Sequence, residues 1–110
     1  MATVFKNKLA TGIGTAGTTV LTTNGSATTT CIGLSLTNTT TGIILASIQL
    51  QDTVAITSAY YIQNVPIPPN QTLRVVNGGE KLILGPSTNV IVRSNADTAI
   101  DLVMSWVEIS

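Results

Sequence analysis

The chain has 110 residues, a length typical of one domain, and only 9% of them are charged. Five basic residues balance five acidic ones, so the formal net charge is zero. Because nucleic acids and anionic membranes attract clustered Lys and Arg, this composition argues against both as partners. Hydrophobic residues make up 44% of the sequence, far more than in a disordered chain.

Apolar and polar residues alternate with a period of two along much of the chain, and β-branched threonine is abundant. This pattern predicts nine short strands, at residues 3–9, 18–22, 30–38, 43–50, 57–65, 72–76, 80–84, 89–94 and 99–109. Strands at this spacing predict an all-β fold, a single-domain antiparallel β-sandwich or jelly-roll-like barrel of about eight strands over residues 1–110. Residues 1–17 are interpreted as an extended N-terminal arm and a glycine-rich loop.

Turn and breaker residues separate the predicted strands. Asn24-Gly25 is a favoured turn pair because both residues tolerate a positive φ. Pro66, followed by Pro68 and Pro69, is expected to end the fifth strand, since proline cannot donate to a central ladder. Asn77-Gly78-Gly79 predicts a hairpin between the sixth and seventh strands.

Gly12-Ile13-Gly14-Thr15-Ala16-Gly17 has the spacing of a dinucleotide-binding fingerprint. Such a site needs a helix that begins at the last glycine and an acidic residue about 20 positions further on. Residues 18–22 instead favour a strand, and the next acidic residue is Asp52. The segment is therefore interpreted as a loop between strands, and no cofactor is expected.

Residues that carry catalysis or bind metals are scarce. Histidine, the usual general base and metal ligand, is absent from the sequence. Cys31 alternates with Gly33 and Ser35 in a predicted strand, so an inert, packed thiol is expected. The acidic residues are scattered singly and favour neither a calcium loop nor a carboxylate pair: Asp52, Glu80, Asp97, Asp101 and Glu108. No catalytic residue and no metal ligand is assigned, and the chain is not expected to be an enzyme.

The lone Cys31 cannot form an internal disulfide, which fits a protein made in a reducing cytoplasm. The first residues lack the basic-then-apolar order of a secretory signal. The longest apolar stretch, residues 42–50, is much shorter than the ~20 residues of a transmembrane helix. The sequence therefore predicts neither a signal nor a membrane span.

Two adjacent tyrosines, Tyr60 and Tyr61, lie in the fifth predicted strand without a nearby Lys or Arg. Nucleic-acid platforms interleave aromatic and basic residues, so this pair does not predict one. Alternation instead places one ring in the core and the other at its rim. The alternative is a contact with a glycan or another protein.

The last strand is hydrophobic on both faces. Ile100, Leu102, Met104 and Trp106 share one face, while the other carries Val103, Val107 and Ile109. An antiparallel sheet in a monomer usually keeps one face polar, and large exposed apolar patches are rare. The strand is therefore central in a sandwich or barrel, switches between sheets, or is covered by another subunit. The low content of charged residues favours the last account.

Several strand patterns resemble a known class of proteins. They are a proline-led strand at Val65-Pro66-Ile67-Pro68, the run Lys81-Leu82-Ile83-Leu84, the strand Asn89-Val90-Ile91-Val92 and the terminal Ser105-Trp106-Val107-Glu108-Ile109. Together with Phe5-Lys6-Asn7 and Gly12-Ile13-Gly14 near the start, they resemble the small virion structural proteins of tailed bacteriophages. Gly85-Pro86-Ser87-Thr88 departs from the acidic Gly-Asp turn that such proteins often carry.

This resemblance implies a virion component that is assembled in the host cytoplasm and has no catalytic residues. We expect an oligomeric decoration or cement protein, for example a trimer, which contacts itself and major capsid or tail proteins. The candidate interface residues are Phe5, Tyr60, Tyr61, Val103, Trp106, Val107 and Ile109.

Two alternatives remain open. One is a tail, neck or baseplate module that binds a receptor or glycan through Tyr60, Tyr61 and the loop at residues 66–69. The other is a bacterial surface or pilus-like subunit, which the missing signal disfavours.

Overall fold

The computed structural model describes residues 3–76 and 81–109, and its strands follow the nine predicted ones. They are β1 (Thr3–Ile13), β2 (Thr18–Thr22), β3 (Thr28–Asn38), β4 (Ile44–Asp52), β5 (Thr57–Ile67), β6 (Thr72–Val76), β7 (Leu82–Leu84), β8 (Thr88–Ser94) and β9 (Ile100–Ile109). The all-β prediction is therefore confirmed. Within the described ranges no helix is long and apolar enough to cross a membrane.

The strands form two antiparallel sheets with a shared core between them. The first sheet has the order β1-β9-β3-β6, with β7 also paired to β3, and the second has the order β2-β8-β4-β5. The pairing is nested along the chain: β1 pairs with β9, β2 with β8, β3 with both β6 and β7, and β4 with β5. Such nesting across two sheets is the jelly-roll arrangement, which confirms the predicted sandwich architecture.

β6 and β7 lie end to end along one edge of β3, so the predicted hairpin between them is wrong. β6 pairs with the second half of β3 and β7 with the first half. Both run antiparallel to β3 and hence parallel to each other, whereas hairpin strands run in opposite directions. This course buries Val76 and Leu84 in the same core. The predicted turn Asn77-Gly78-Gly79 lies outside the described residues.

Alternate residues of the strands point inward and fill the space between the sheets. The inward residues of β9 are all buried: Ile100, Leu102, Met104 and Trp106. The second sheet contributes Ile48 of β4 and Val92 of β8, which are fully buried. Because burial of apolar area stabilises a fold by about 25 cal/mol per Å², this layer is the main source of stability.

β5 continues through Pro66 to Ile67, so the prediction that it ends at Val65 is wrong. Pro66 lies opposite Leu45 of β4, and β5 is an edge strand. An edge strand tolerates proline, because the missing N–H need not be on the side that pairs with the sheet. Extending β5 by two residues places Ile67 in the core.

The segment with the dinucleotide-like spacing connects β1 to β2. Gly12 and Gly17 adopt positive φ values of 63° and 80°, which glycine reaches without strain. β2 begins at Thr18, so a strand follows the last glycine where a dinucleotide site requires a helix. Gly12 and Ile13 belong to the end of β1, so the predicted loop between strands is confined to residues 14–17.

Asn38, at the end of β3, is fully buried and ties together two neighbouring segments. Its amide nitrogen donates to the carbonyl oxygens of Gly42 and Ile67, each at 2.8 Å. Its Oδ1 accepts from the backbone N–H of Thr40 at 2.8 Å and from the Thr40 hydroxyl at 2.7 Å. The side chain thus connects the β3–β4 loop to the end of β5.

Candidate interaction surface

The outward face of the first sheet brings together apolar side chains from strands that are distant in sequence. Val103 and Val107 of β9 point away from the core, because their neighbours Leu102 and Met104 point into it. In the β1–β9 register Leu9 lies opposite Val103, and Phe5 lies opposite Val107. Directly opposed residues of an antiparallel pair share a face, so these four side chains form two cross-strand pairs, with the Asn7–Ser105 pair between them.

The apolar surface continues across β3 to β7. Val107 is also opposite Thr30 of β3, and Thr30 is opposite Ile83 of β7. The exposed fractions of the large residues on this face are high: Phe5 74%, Leu9 66%, Ile83 70%, Val103 50% and Ile109 38%. We call these five residues together with Val107 the outer apolar face.

Two shallow depressions cross the middle of this face. Ile32 and Ser105 line both of them, and their volumes are about 300 and 390 Å³. Gly33 lies opposite Ser105, and Ser105 lies opposite Asn7. A Cβ atom added at Gly33 would have no atom within 4 Å outside the two neighbouring residues of the chain. The row formed by Asn7, Ser105 and Gly33 therefore separates the Phe5–Val107 pair from the Leu9–Val103 pair. This row leaves room for side chains of another molecule.

Trp106, a predicted interface residue, lies on the inward side of β9 and is buried. Its indole Nε1 donates to Oε2 of Glu108 at 2.9 Å, and Nζ of Lys6 lies 3.0 Å from the same oxygen. These hydrogen bonds, first from Trp106 and then from Lys6, hold the pKa of Glu108 below its usual value. Trp106 thus anchors an ion pair that joins β1 to β9.

The structure places Tyr60 and Tyr61 in the second sheet, apart from the outer apolar face. Tyr60 lies opposite Gln49 and is exposed, whereas Tyr61 packs against the core. Pro66 is six residues further along β5, which is ~20 Å at 3.3 Å per residue. The described structure therefore does not bring Tyr60 next to the loop at residues 66–69.

Sequence reasoning missed Leu9, Ile83 and the tip of the β4–β5 connection. Leu9 follows Phe5 by four residues, a spacing that places both on one face of a strand, and this signal could have identified it. At the tip, Val54 and Ile56 are 79% and 85% exposed. Oδ1 of Asp52 accepts from the N–H groups of Val54 and Ala55 at 3.0 and 3.2 Å. The tip is thus an ordered turn that displays two aliphatic side chains.

The remaining candidate groups are the Cys31 thiol and the acidic side chains. The Cys31 side chain is buried, and this burial raises the pKa of the thiol, so it stays protonated and unreactive at neutral pH. Among residues 3–76 and 81–109, no three His, Cys, Asp or Glu side chains lie close enough to hold a metal ion. The arrangement can bind another surface through apolar contacts.

Comparisons with known proteins find similarity in fold. No protein-family model and no curated protein matches the sequence. The structure is similar to that of Bacillus endospore appendages, a family of disulfide-linked pili, with a TM-score of 0.55 and 9% identity over 98% of this chain and 88% of that chain. At this identity the likeness shows the fold alone.

A second likeness is to a pentameric capsid protein isolated from metagenomic phage sequences. Its TM-score is 0.43, with 21% identity over 94% of this chain and 59% of that chain, and a second structure of such a protein gives the same identity and score. The chain therefore spans about three fifths of that capsid protein's length. The likeness to the spore appendages supports the all-β architecture, and no comparison assigns a family.

Proposed function

We propose that this chain is a non-enzymatic structural subunit of a phage virion, which decorates or cements a larger assembly by binding protein subunits through its outer apolar face. The observation that carries the proposal is the register of the first sheet, which aligns Phe5 with Val107 and Leu9 with Val103 on a solvent-facing surface. Several large apolar side chains left exposed on one face indicate an interaction site. The phage assignment within the proposal comes from the resemblance of the strand patterns.

The size of this surface suits a protein partner. β9 has ten residues and so spans ~34 Å at 3.4 Å per residue, and four strand positions at 4.8 Å span ~19 Å. The projected area is therefore about 650 Å², and the accessible area of a corrugated face is larger. A standard interface buries ~800 Å² per partner. One face of this sheet is thus sufficient for a specific contact.

The chemistry of the surface favours protein over other partners. The net charge of zero offers no attraction for phosphate-rich ligands. Ile32 and Ser105 line both depressions, and Arg74 is a charged residue that lines the one next to Val103. Exposed apolar side chains interspersed with a few polar and Arg side chains are a usual composition of a protein–protein interface.

Co-sedimentation with purified phage capsids and tails tests this proposal. Val103→Glu places a charge on the outer apolar face and is expected to weaken binding at least tenfold. Thr19→Glu is the matched control, because Thr19 is exposed on the outward side of the second sheet. Binding that both variants retain, or that both lose equally while folded by circular dichroism, contradicts the proposal.

A second candidate function rests on Tyr60, whose ring is exposed beside Gln49 on the other sheet. An exposed aromatic ring next to an amide is suited to stacking on a sugar, so a receptor- or glycan-binding module is the alternative. Glycan binding that Tyr60→Ala abolishes and Val103→Glu preserves would favour this alternative over decoration.

A further inference from the structure

The two sheets have four edges, and three of them are poorly suited to pairing with another strand. β2 has only five residues, and β6 and β7 pair with separate parts of β3. β5 contains Pro66, a positive φ of 52° at Asn64 and two shifts of register against β4. Short strands, proline and bulges are the features by which proteins protect sheet edges.

The edge formed by β1 is different. Its register with β9 runs unbroken from Thr3 to Ala10, and it shifts only between Ala10 and Ile13. β9 is the one strand with which β1 pairs among the described residues, so the N–H and C=O groups along its other edge have no strand partner. An edge of this length and regularity is a template for a further strand.

The side chains of β1 are also unusually exposed to solvent. Residues 3–9 are exposed on both faces of the strand, and Ile13 is the first residue of β1 that is fully buried. Val4, Phe5 and Leu9 are therefore apolar side chains that their own sandwich leaves largely uncovered. A strand added beside β1 would remove part of this area from water.

The sequence of β1 is complementary to itself in one antiparallel register. When two copies are centred on Asn7, Phe5 of one copy lies opposite Leu9 of the other, and Leu9 lies opposite Phe5. Thr3 then faces Thr11, so residues 3–11 of both strands are used, up to the position where the β1–β9 register shifts. Aromatic–aliphatic cross-strand pairs stabilise sheets, and they lie here on the outward side.

We propose that two copies of this chain associate through their β1 edges, antiparallel and centred on Asn7, to form a two-fold dimer with one continuous sheet. The dimer joins the two outer apolar faces into one surface, so the inference deepens the proposed function and rests on it for its biological role. An isologous contact of this kind closes at two copies, in place of the trimer considered from the sequence.

The same register brings like charges together on the inward side of the sheet. Lys6 of one copy lies opposite Lys8 of the other, and this happens twice in the dimer. Lys6 already pairs with Glu108, at 3.0 Å, which partly neutralises it. Like charges directly opposite each other destabilise a sheet. Salt screens such repulsion, so the dimer is expected to strengthen as ionic strength rises.

Disulfide trapping tests the register directly. Asn7→Cys places two thiols on the two-fold axis, where opposed Cα atoms are ~4.5–5.5 Å apart and a disulfide can form. Thr3→Cys is the matched control, because two copies of residue 3 are offset by eight residues, or ~27 Å. The native Cys31 is buried. Mild oxidation is expected to link most of the Asn7→Cys protein and little of the Thr3→Cys protein, whereas equal linkage of the two, or none with Asn7→Cys, overturns the proposal.

A charge reversal provides an independent test. Lys8→Glu converts both like-charged contacts into opposite-charged ones, and is expected to lower the dimer Kd about tenfold and reverse its dependence on salt. Lys81→Glu makes the same change in net charge at another exposed lysine and should leave Kd unchanged. Light scattering over a concentration series measures both. A dimer insensitive to Lys8→Glu overturns the edge pairing.

The tests separate this inference from the proposed function. Lys8 lies on the inward side of β1 and Val103 on the outward side of β9. Capsid or tail binding that Val103→Glu abolishes, in a protein that is monomeric and does not cross-link at Asn7→Cys, overturns the dimer and leaves the proposed function standing. Cross-linking at Asn7→Cys without any binding to capsids or tails supports the dimer and contradicts the proposed function.

Discussion

Replacement of Asn38 by alanine is expected to destabilise the protein by about 3 kcal/mol. Asn38 makes four hydrogen bonds, of which the one to the carbonyl of Ile67 is fully buried. Alanine leaves that carbonyl and the N–H of Thr40 without the amide, while the carbonyl of Gly42 retains the Thr40 hydroxyl at 3.0 Å. A buried group that loses its partner costs about 1–3 kcal/mol, so two such groups give the stated total.

Asn38→Asp distinguishes the hydrogen bonds that Asn38 donates from those that it accepts. A carboxylate keeps the acceptor for Thr40, but it cannot donate to the carbonyls of Gly42 and Ile67, which its negative charge also repels. We expect a larger loss than for alanine at neutral pH, and a smaller one at acid pH, where the protonated acid again carries a donor.

Urea unfolding, followed by the fluorescence of the single tryptophan and by circular dichroism, measures both variants. A loss of 3 kcal/mol corresponds to a fall in Tm of about 12 °C or more for a domain of this size. The control is Asn24→Ala, since Asn24 accepts from Ser26 in an exposed turn and its loss should cost less than about 1 kcal/mol. Equal losses for Asn38→Ala and Asn24→Ala would refute the assignment of Asn38 as a buried connector.

Three further predictions concern single side chains. The hydroxyl of Thr29 is buried without a hydrogen-bond partner among the described residues. The nearly isosteric Thr29→Val removes this hydroxyl and is therefore expected to raise the free energy of unfolding by about 1 kcal/mol. A loss of stability would show that the hydroxyl has a partner. Ile56, in the β4–β5 connection, has a φ of 55°, which is strained for a β-branched residue. Ile56→Gly should therefore stabilise the protein by about 1 kcal/mol. A melting temperature below that of the native protein would contradict this. Because hydrogen bonds from Trp106 and Lys6 lower the pKa of folded Glu108, its contribution to stability is present above the ordinary value of 4.5 and is lost as the pH falls through the lowered folded pKa. The difference in stability between the native protein and Glu108→Gln should therefore shrink below pH 4.5, and a difference that is constant from pH 7 to pH 3 would show that the ion pair does not contribute.

Much of the fold could be predicted because alternation is a local property of the chain. The inward set of β9, from Ile100 to Trp106, and the outward Val103 and Val107 follow from the period of two, and the structure confirms both faces. The strand after Gly17 follows from β-branched threonines in the same way. These features need only the residues of one strand and its turns.

The candidate surface depended on which strands are neighbours, and alternation does not contain that information. Leu9 and Ile83 join Val103 because β9 lies between β1 and β3, and β7 continues the edge begun by β6. Pro66 was mistaken for a strand end because its position at a sheet edge was unknown. Trp106 was placed correctly in its strand, while the ion pair between Glu108 and Lys6 required the position of β1 beside β9.

The sequence by itself therefore determined that the chain is all-β, where most strands lie and which side chains share a face, since these follow from backbone geometry over a few residues. The tertiary structure alone decided the nested strand order, the outer apolar face, the network around Asn38 and the open edge of β1. Each of these depends on residues far apart in the chain, and their pairing is chosen by the combined burial of both sheets, which no single segment encodes.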